Sequence, residues 1–375
     1  MLDLSAAFDC INHEILLDRL RNVFGLRNTV LDWFLSYIRD RTMVVQVGDK
    51  KSSIHILDSG VPQGSVLGPC IFSDYVYPLG EIAQTYGVTP HFYADDTQLY
   101  VSFKQDREDF EIQRLETCVS HIRSWMAAND LRLNDDKSEL IFFGSGRLLP
   151  KISHTSVRVG TETVRSSSCV KNIGIFLDSQ LTMKSQISHL CKSAFYYMQQ
   201  IRRIRSLLSP QQTKTLVHAF VLSRIDSNNA LLYGLPQSSI SRLQRVQNAA
   251  AKLICGARKF DSVTPLLKYL HWLPINERIV FKLNLLAFKC IVGTAPSYLS
   301  ELLSIYTPSR HLRSSNDGRL LRMPRSKTKT FGDRAFSVAA PELWNSLPFT
   351  IRHSPTLLTF RSRLKTHLYN VAFHA

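Results

Sequence analysis

Asp95 and Asp96 are adjacent carboxylates within the run His91-Phe92-Tyr93-Ala94-Asp95-Asp96-Thr97-Gln98-Leu99-Tyr100-Val101. Aromatic and β-branched residues flank the pair on both sides, a pattern that predicts a strand, a tight turn and a second strand. Neighbouring carboxylates repel unless positive charge lies beside them, so the pair points to a divalent cation. The plain alternative is an Asp-rich surface turn, because Asp bonds locally to turn backbone. Three further blocks bear on the choice. The sequence opens Met1-Leu2-Asp3-Leu4-Ser5-Ala6-Ala7-Phe8-Asp9, continues with Gly60-Val61-Pro62-Gln63-Gly64-Ser65-Val66-Leu67-Gly68-Pro69, and later carries Leu133-Asn134-Asp135-Asp136-Lys137-Ser138-Glu139.

In this order the four blocks resemble the palm motifs of reverse transcriptases, and most closely those of non-LTR retrotransposons, the long interspersed elements. The resemblance is specific through Gly144 and looser beyond it, at Leu231-Leu232-Tyr233-Gly234-Leu235-Pro236 and Leu243-Gln244-Arg245-Val246-Gln247-Asn248-Ala249-Ala250. It implies an RNA-directed DNA polymerase: a primer 3′ hydroxyl attacks a deoxynucleoside triphosphate opposite an RNA template, with Mg²⁺ (or Mn²⁺) at the carboxylates. By resemblance Asp3 and Asp95 bridge the metals, Asp96 is the adjacent acid and the Leu4 carbonyl is a further ligand. Asp9 rivals Asp3, but such polymerases place an aromatic residue five positions after the catalytic acid, and Phe8 stands five after Asp3. The same match makes Phe8 the sugar gate against a 2′-hydroxyl, with core packing as its alternative. Pro62-Gln63-Gly64 would lie under the incoming base pair, with Gln63 on the nucleotide or template and Gly64 allowing close backbone approach. Tyr93 would lie near the primer end, and Lys137 would protonate the departing pyrophosphate unless it is a solvated lysine. Asn172-Ile173-Gly174-Ile175-Phe176-Leu177 resembles the hairpin that grips the primer.

Composition narrows the classes without naming one. The 375 residues carry a formal net charge of +16, unevenly spread: −8 through Ser145 and +24 after it. A basic body behind an acidic head suits an enzyme that holds a polyanion. Arg202, Arg203 and Arg205 beside Tyr196 and Tyr197 are candidates to track phosphates. The seven cysteines are scattered singly with no Cys-x-x-Cys pair, which argues against a zinc module or a disulfide framework and for a reducing compartment. No membrane-length apolar run or secretory signal is evident, so an intracellular location, nucleus or cytoplasm, is expected.

The elements that must position these residues follow from periodicity. Helical patterning covers residues 11–38, hairpin alternation 43–56 with Gly48-Asp49 as its turn, a helix runs from the Pro62 loop to about Gln84, and another carries Phe110 to Met126. A strand is expected at Leu140–Phe143. The fold class predicted is α+β: a right-hand polymerase palm of antiparallel sheet and packed helices, then a mainly helical thumb and a C-terminal helical region. Boundaries are expected at 1–145 (palm), 146–180 (connector with primer-grip-like strands), 181–306 (helical thumb), 307–334 (basic arm) and 335–375 (small helical unit). Similar polymerases carry a fingers subdomain before the first aspartate. The expectation is therefore a polymerase fragment truncated at its N-terminus, the alternative a non-catalytic nucleic-acid-binding remnant.

Overall fold

The apolar periods resolve into separate elements in the computed structural model, which describes residues 1–5, 7–160, 162–307, 319–328 and 330–374. Two compact units divide after Gln180: Met1–Gln180 and Leu181–Ala375. The first mixes helices with small antiparallel sheets and is α+β. The second has helices and, among its described residues, no strand.

In chain order the first unit runs β1 (Asp3–Ser5), α1 (His13–Asn22), α2 (Thr29–Ile38), β2 (Arg41–Met43), β3 (Gln46–Val47), β4 (Lys50–Lys51), β5 (His55–Leu57), α3 (Gly68–Val76) and α4 (Pro78–Thr85). It continues with β6 (Thr89–Tyr93), β7 (Asp96–Tyr100), α5 (Glu108–Ala127), β8 (Arg132–Asn134), β9 (Ser156–Val159), β10 (Glu162–Arg165), β11 (Cys169–Asn172) and β12 (Ile175–Asp178). Three sequence expectations need correction here. The helical run 11–38 is two helices, broken after α1 where Gly25 takes φ +68. The helix expected to reach Gln84 is also two, because Pro78 offers no N–H to continue α3. Leu140–Phe143 is not a ladder strand: Leu140 makes one isolated bridge to Ser166, and residues 141–143 line an apolar cavity instead of pairing.

The sheet that matters is assembled around β1. Leu2 and Leu4 are buried while Asp3 and Ser5 are half-buried, the two-residue period of a strand with one core face. One edge of β1 pairs antiparallel with β8, Asp3 opposite Asn134. Leu2 bridges Thr97 of β7 through two backbone bonds of 2.8 and 3.3 Å. The spatial order is therefore β6, β7, β1, β8. Beneath it pack Leu16 and Leu20 of α1, Ile71 and Phe72 of α3, and Ile122 and Met126 of α5. Arg19 is buried in the same layer, its guanidinium 4.5 Å from the Tyr75 ring and 4.7 Å from Trp125, donating to the Tyr75 carbonyl and to Asn129.

Glu108 opens α5 and fastens the following loop to it. Its Oε1 accepts from the backbone N–H groups of Ser153 (2.8 Å) and His154 (2.7 Å) and pairs with His154 Nδ1 (3.0 Å). Burial alone would raise the carboxyl pKa; the bonds from His154 and Ser153 outweigh it and hold the pKa below the ordinary 4.5. The unfolded chain thus binds the proton more readily, so the contribution is complete above pH 4.5 and is lost as pH falls through the depressed value. Glu108→Gln is expected to lower stability at neutral pH by about 1–3 kcal/mol and to flatten the acid side of the Tm–pH curve. Parallel curves for variant and wild type would contradict this.

In the second unit come α6 (Lys184–Ile204), α7 (Pro210–Val217), a π-helical turn at His218–Leu222, α8 (Ser223–Asp226), α9 (Gln237–Cys255), α10 (Thr264–Leu270) and α11 (Ile275–Ile291). They are followed by α12 (Ser297–Ser300), α13 (Phe336–Asn345), α14 (Phe349–Arg352) and α15 (Leu357–His374). Ser209 caps α7 with a reciprocal Ser209–Gln212 capping box, and Pro210 sits where its missing N–H costs nothing. The C-terminal helices do not form a core of their own. Trp344, Phe360, Leu364 and Leu368 share one with Leu273, Ala287 and Phe288 of the preceding region, and Phe288 stacks on Phe360 at 4.3 Å. In the basic stretch expected at 307–334, Arg310, Arg313 and Lys329 lie outside the described residues. Arg319 donates to the carbonyls of Arg352 and Ser354, and Arg334 to those of Leu181, Leu231 and Tyr233. Those two guanidinium groups serve the fold. No helix among the described residues is long and apolar enough to cross a membrane.

Candidate active site

The aspartate hairpin closes through a two-residue turn, Ala94-Asp95, between the paired residues Tyr93 and Asp96. Ala94 takes φ +51, a left-handed conformation unfavourable for a residue with a Cβ and held by the flanking ladder. Because β1 is seated against β7, Asp3 reaches the same cleft as Asp96. That cleft, about 340 Å³, is lined also by Asp136, Lys137, Asn172 and Ile173. Asp3 Oδ2 is buried without a hydrogen-bond partner, and the nearest counter-charge is Lys137 Nζ at 3.5 Å. The Asp96 carboxyl is pushed above the usual aspartate range, first by burial and then by the charges of Asp95 and Asp3.

Asp95 lines a second cleft of about 400 Å³, with Leu4, Phe8, Gln63, Gly64 and Gly68. The Phe8 ring packs on Phe72 of α3, centroids 5.0 Å apart. Gln63 is held by Asp9: its Nε2 donates to both carboxylate oxygens at 3.1 Å. Asp9, weighed in the sequence as a rival to Asp3, thus points at the loop of the second block. The two segments are bound along their backbones too, by Val61 N–H to Phe8 O (2.9 Å) and Gly60 N–H to Ile11 O (2.8 Å), with His13 Nε2 2.9 Å from Gly60 O. Gly60 is required there. At φ +84, an added Cβ would meet the Asp9 carbonyl oxygen at 3.0 Å.

Asn172-Ile173-Gly174 forms the tip of the β11–β12 hairpin, with Ile173 at φ +44 and Gly174 at φ +77. A reciprocal amide pair ties this tip to the aspartate hairpin: Gln98 Nε2 to Asn172 Oδ1 (2.8 Å) and Asn172 Nδ2 to Gln98 Oε1 (3.0 Å). Neither this pair nor the Asp9–Gln63 clasp is evident from sequence spacing. The legible hint was that Asp9 follows Phe8 directly, and that Gln98 sits two past Asp96 on the same face of its strand.

Tyr93 is 62% exposed beside the turn and lines neither cleft. Arg202 and Arg203 are exposed in the last turn of α6. Arg205, expected with them at phosphates, is spent otherwise: its guanidinium donates to the carbonyls of Leu253 and Ile254, the last turn of α9, and to Leu208. A cation satisfying a helix C-terminus is stabilising in its own right. A cavity of about 580 Å³ in the first unit is mostly apolar and holds none of the three aspartates.

Among the described residues, no three His, Cys, Asp or Glu side chains form a preassembled metal cage. Asp3 and Asp96 share one cleft while Asp95 lines the other. That arrangement still fits Mg²⁺, which is commonly held by one or two carboxylates together with substrate phosphates rather than by an all-protein cage. Asp3 Oδ2, beside Lys137, supplies a ligand atom not committed to a hydrogen bond.

Residues 1–177, which contain the whole constellation, match the reverse transcriptase (RNA-dependent DNA polymerase) family. The first unit is thus similar to the reverse transcriptase domain, whose family generally uses divalent metal ions. The chain is a homologue of the polymerases of non-LTR retrotransposons. It is 26% identical over 289 residues to the probable RNA-directed DNA polymerase from transposon BS of Drosophila melanogaster, covering 74% of this chain and 31% of that protein. It is 25% identical over 268 residues to the RNA-directed DNA polymerase from mobile element jockey of the same species, covering 68% of this chain and 28% of that one. The chain therefore spans about three tenths of the length of these relatives. A telomerase structure from Candida albicans aligns over 75% of this chain and 46% of that one, with 14% identity and a TM-score of 0.31, too loosely to transfer detail.

Proposed function

We propose that this chain carries the catalytic centre of an RNA-directed DNA polymerase, extending a DNA primer on an RNA template with deoxynucleoside triphosphates. One observation carries the reading: Asp3 and Asp96, 93 positions apart in sequence, line one cleft, with an Asp3 oxygen that accepts no hydrogen bond. The first unit acts as the palm, with β11–β12 as its primer-gripping hairpin, and the helical second unit as a thumb-like nucleic-acid-binding body. Asp3, Asp95, Asp96 and the Leu4 carbonyl would hold Mg²⁺, which when bound supplies Lewis-acid activation of the hydroxyl and neutralises the leaving pyrophosphate.

The chain's own groups do the rest. Phe8 and Gln63 form the wall and floor of the nucleotide cleft; Asp9, by gripping the Gln63 amide, fixes the direction in which its carbonyl oxygen faces. Gly64 keeps that floor low. Tyr93 stands by the turn toward the primer. Lys137, an ammonium 3.5 Å from Asp3, holds a proton that it can give to the leaving group; general acids of this kind contribute about 10²–10⁴-fold. Arg202 and Arg203 contribute phosphate contacts without sequence preference.

The test is primer extension by the protein expressed from its complete reading frame. With an RNA template, a DNA primer, deoxynucleotides and Mg²⁺, the primer should lengthen in a template-dependent way and stop lengthening in EDTA. A primer that stays at its starting length with Mg²⁺ or Mn²⁺ would overturn the catalytic reading. Salt-sensitive binding of template–primer without extension would favour the second reading, a non-catalytic nucleic-acid-binding remnant, which the +24 charge after Ser145 makes physically sound.

A further inference from the structure

The second unit holds 28 Lys and Arg against 7 Asp and Glu, a net charge of +21. Charge attracts a polyanion but does not decide how its bases are met. One surface patch of this unit does carry rings that solvent reaches: Tyr196 on α6 is 57% exposed and Phe220 is 42% exposed. Tyr197 lies between them. Its ring is 5.3 Å from Tyr196, edge-on at 82°, and 5.5 Å from Phe220, stacked at 18°. Arg224 covers the same ring, with Cζ 4.5 Å from the centroid and Nη2 donating to Tyr197 Oη at 3.1 Å. Two exposed rings and a guanidinium are thus gathered around Tyr197.

The backbone is built to present it. Phe220 sits in the π-helical turn His218–Leu222, where each turn holds an extra residue relative to an α-helix; such turns recur at functional sites. The turn is pinned from inside by Val221 and Leu222, both buried, and by His218 edge-on to Trp272 at 5.3 Å. With its neighbours anchored, Phe220 is held outward. Along α6, Lys192 and Arg203 stand four residues before and seven after Tyr196 on the same helix face, and both are exposed.

We propose that Tyr196, Phe220 and Arg224 form a stacking platform for the bases of single-stranded nucleic acid, with Lys192 and Arg203 meeting the backbone phosphates. The inference rests on the nucleic-acid reading above and deepens it. Every base has a π-face, so such a platform reads no sequence, and an arginine plane extends it. A second copy of the chain is the poorer occupant, because its matching unit carries the same +21 and would be repelled.

The experiment compares two fluorescein-labelled twelve-nucleotide strands, one oligo(dT) and one abasic with the same backbone, titrated with the full chain by anisotropy across a salt series. Wild type should bind the oligo(dT) strand roughly tenfold or more tighter than the abasic one. Tyr196→Leu/Phe220→Leu should bind both strands alike, at the abasic affinity, with an unchanged slope of log K against log salt, because no phosphate contact is lost. Phe220→Tyr keeps a ring and should retain the preference. A double variant that still prefers bases would overturn the platform while leaving the nucleic-acid reading intact; a wild type that binds neither strand would overturn both. A change in oligomeric state on light scattering would make the patch a contact between copies and also overturn it. Should the double variant misfold, photocrosslinking of a 5-bromouracil strand to wild type decides the matter instead. Adducts on the peptides bearing Tyr196 or Phe220 would support the platform, and adducts confined to peptides lacking both would exclude it.

Discussion

Asp95→Asn should abolish primer extension, with a fall of at least about 10²–10³-fold in kcat, the cost typical of removing even one preorganised hydrogen-bond donor from a transition state. Asp3→Asn should do the same from the opposite strand. The distinguishing feature is stability. In EDTA both variants should melt no lower than wild type, because each removes a like charge from a cluster that already raises the Asp96 carboxyl. In millimolar Mg²⁺ the order should reverse: wild type gains in Tm by mass action and the variants do not. A variant that loses activity and melts lower in EDTA would show aspartate serving the fold, not the chemistry. Retained extension by either variant would remove the carboxylates from the reaction altogether.

Phe8→Ala should open the nucleotide cleft to ribose. The Phe8 ring forms one wall of the space lined by Asp95, Gln63 and Gly64, and it is braced by Phe72 at 5.0 Å. Removing it makes room for a 2′-hydroxyl, so the ratio of kcat/KM for deoxy- over ribonucleotides should fall by about 10–100-fold, the scale on which a pocket discriminates by one small group. The change should lie in the ribonucleotide terms, with deoxynucleotide kcat within a few fold. The substitution also trims a half-buried ring from the core, so a loss of about 1–3 kcal/mol in stability is expected alongside. Phe8→Val, which keeps more volume, should fall between the two in both measures. An unchanged sugar preference in both variants, with stability reduced, would leave Phe8 as packing.

The sequence alone was enough to point to the family and to a candidate site, because both are carried by short local blocks. The aspartate turn announced itself by β-formers flanking two acids, and the hairpin found there follows from that local pattern. The Gly48-Asp49 turn was legible for the same reason: turn geometry depends on a few neighbouring residues. Helix ends set by single residues were harder. The run to Gln84 hid a break at Pro78, and Leu140–Phe143 read as a strand although only Leu140 is bridged, to Ser166.

Only the tertiary structure decided which side chains are free to act. Arg205 reads like Arg202 and Arg203 in sequence, but three carbonyls hold it, two of them 48 and 49 positions away. Asp9 looks like a spare ligand until the Gly60 turn brings Gln63 to it across 54 positions. Phe110 keeps the apolar period of α5 yet is 59% exposed, because the period fixes a face and not what covers it. Nor does periodicity show that Trp344 and Phe360 complete the core begun by Phe288. Residue type and spacing fix backbone preferences over a turn or two; long-range pairing depends on which surfaces the whole chain brings together, and hydrogen-bond satisfaction is settled only there.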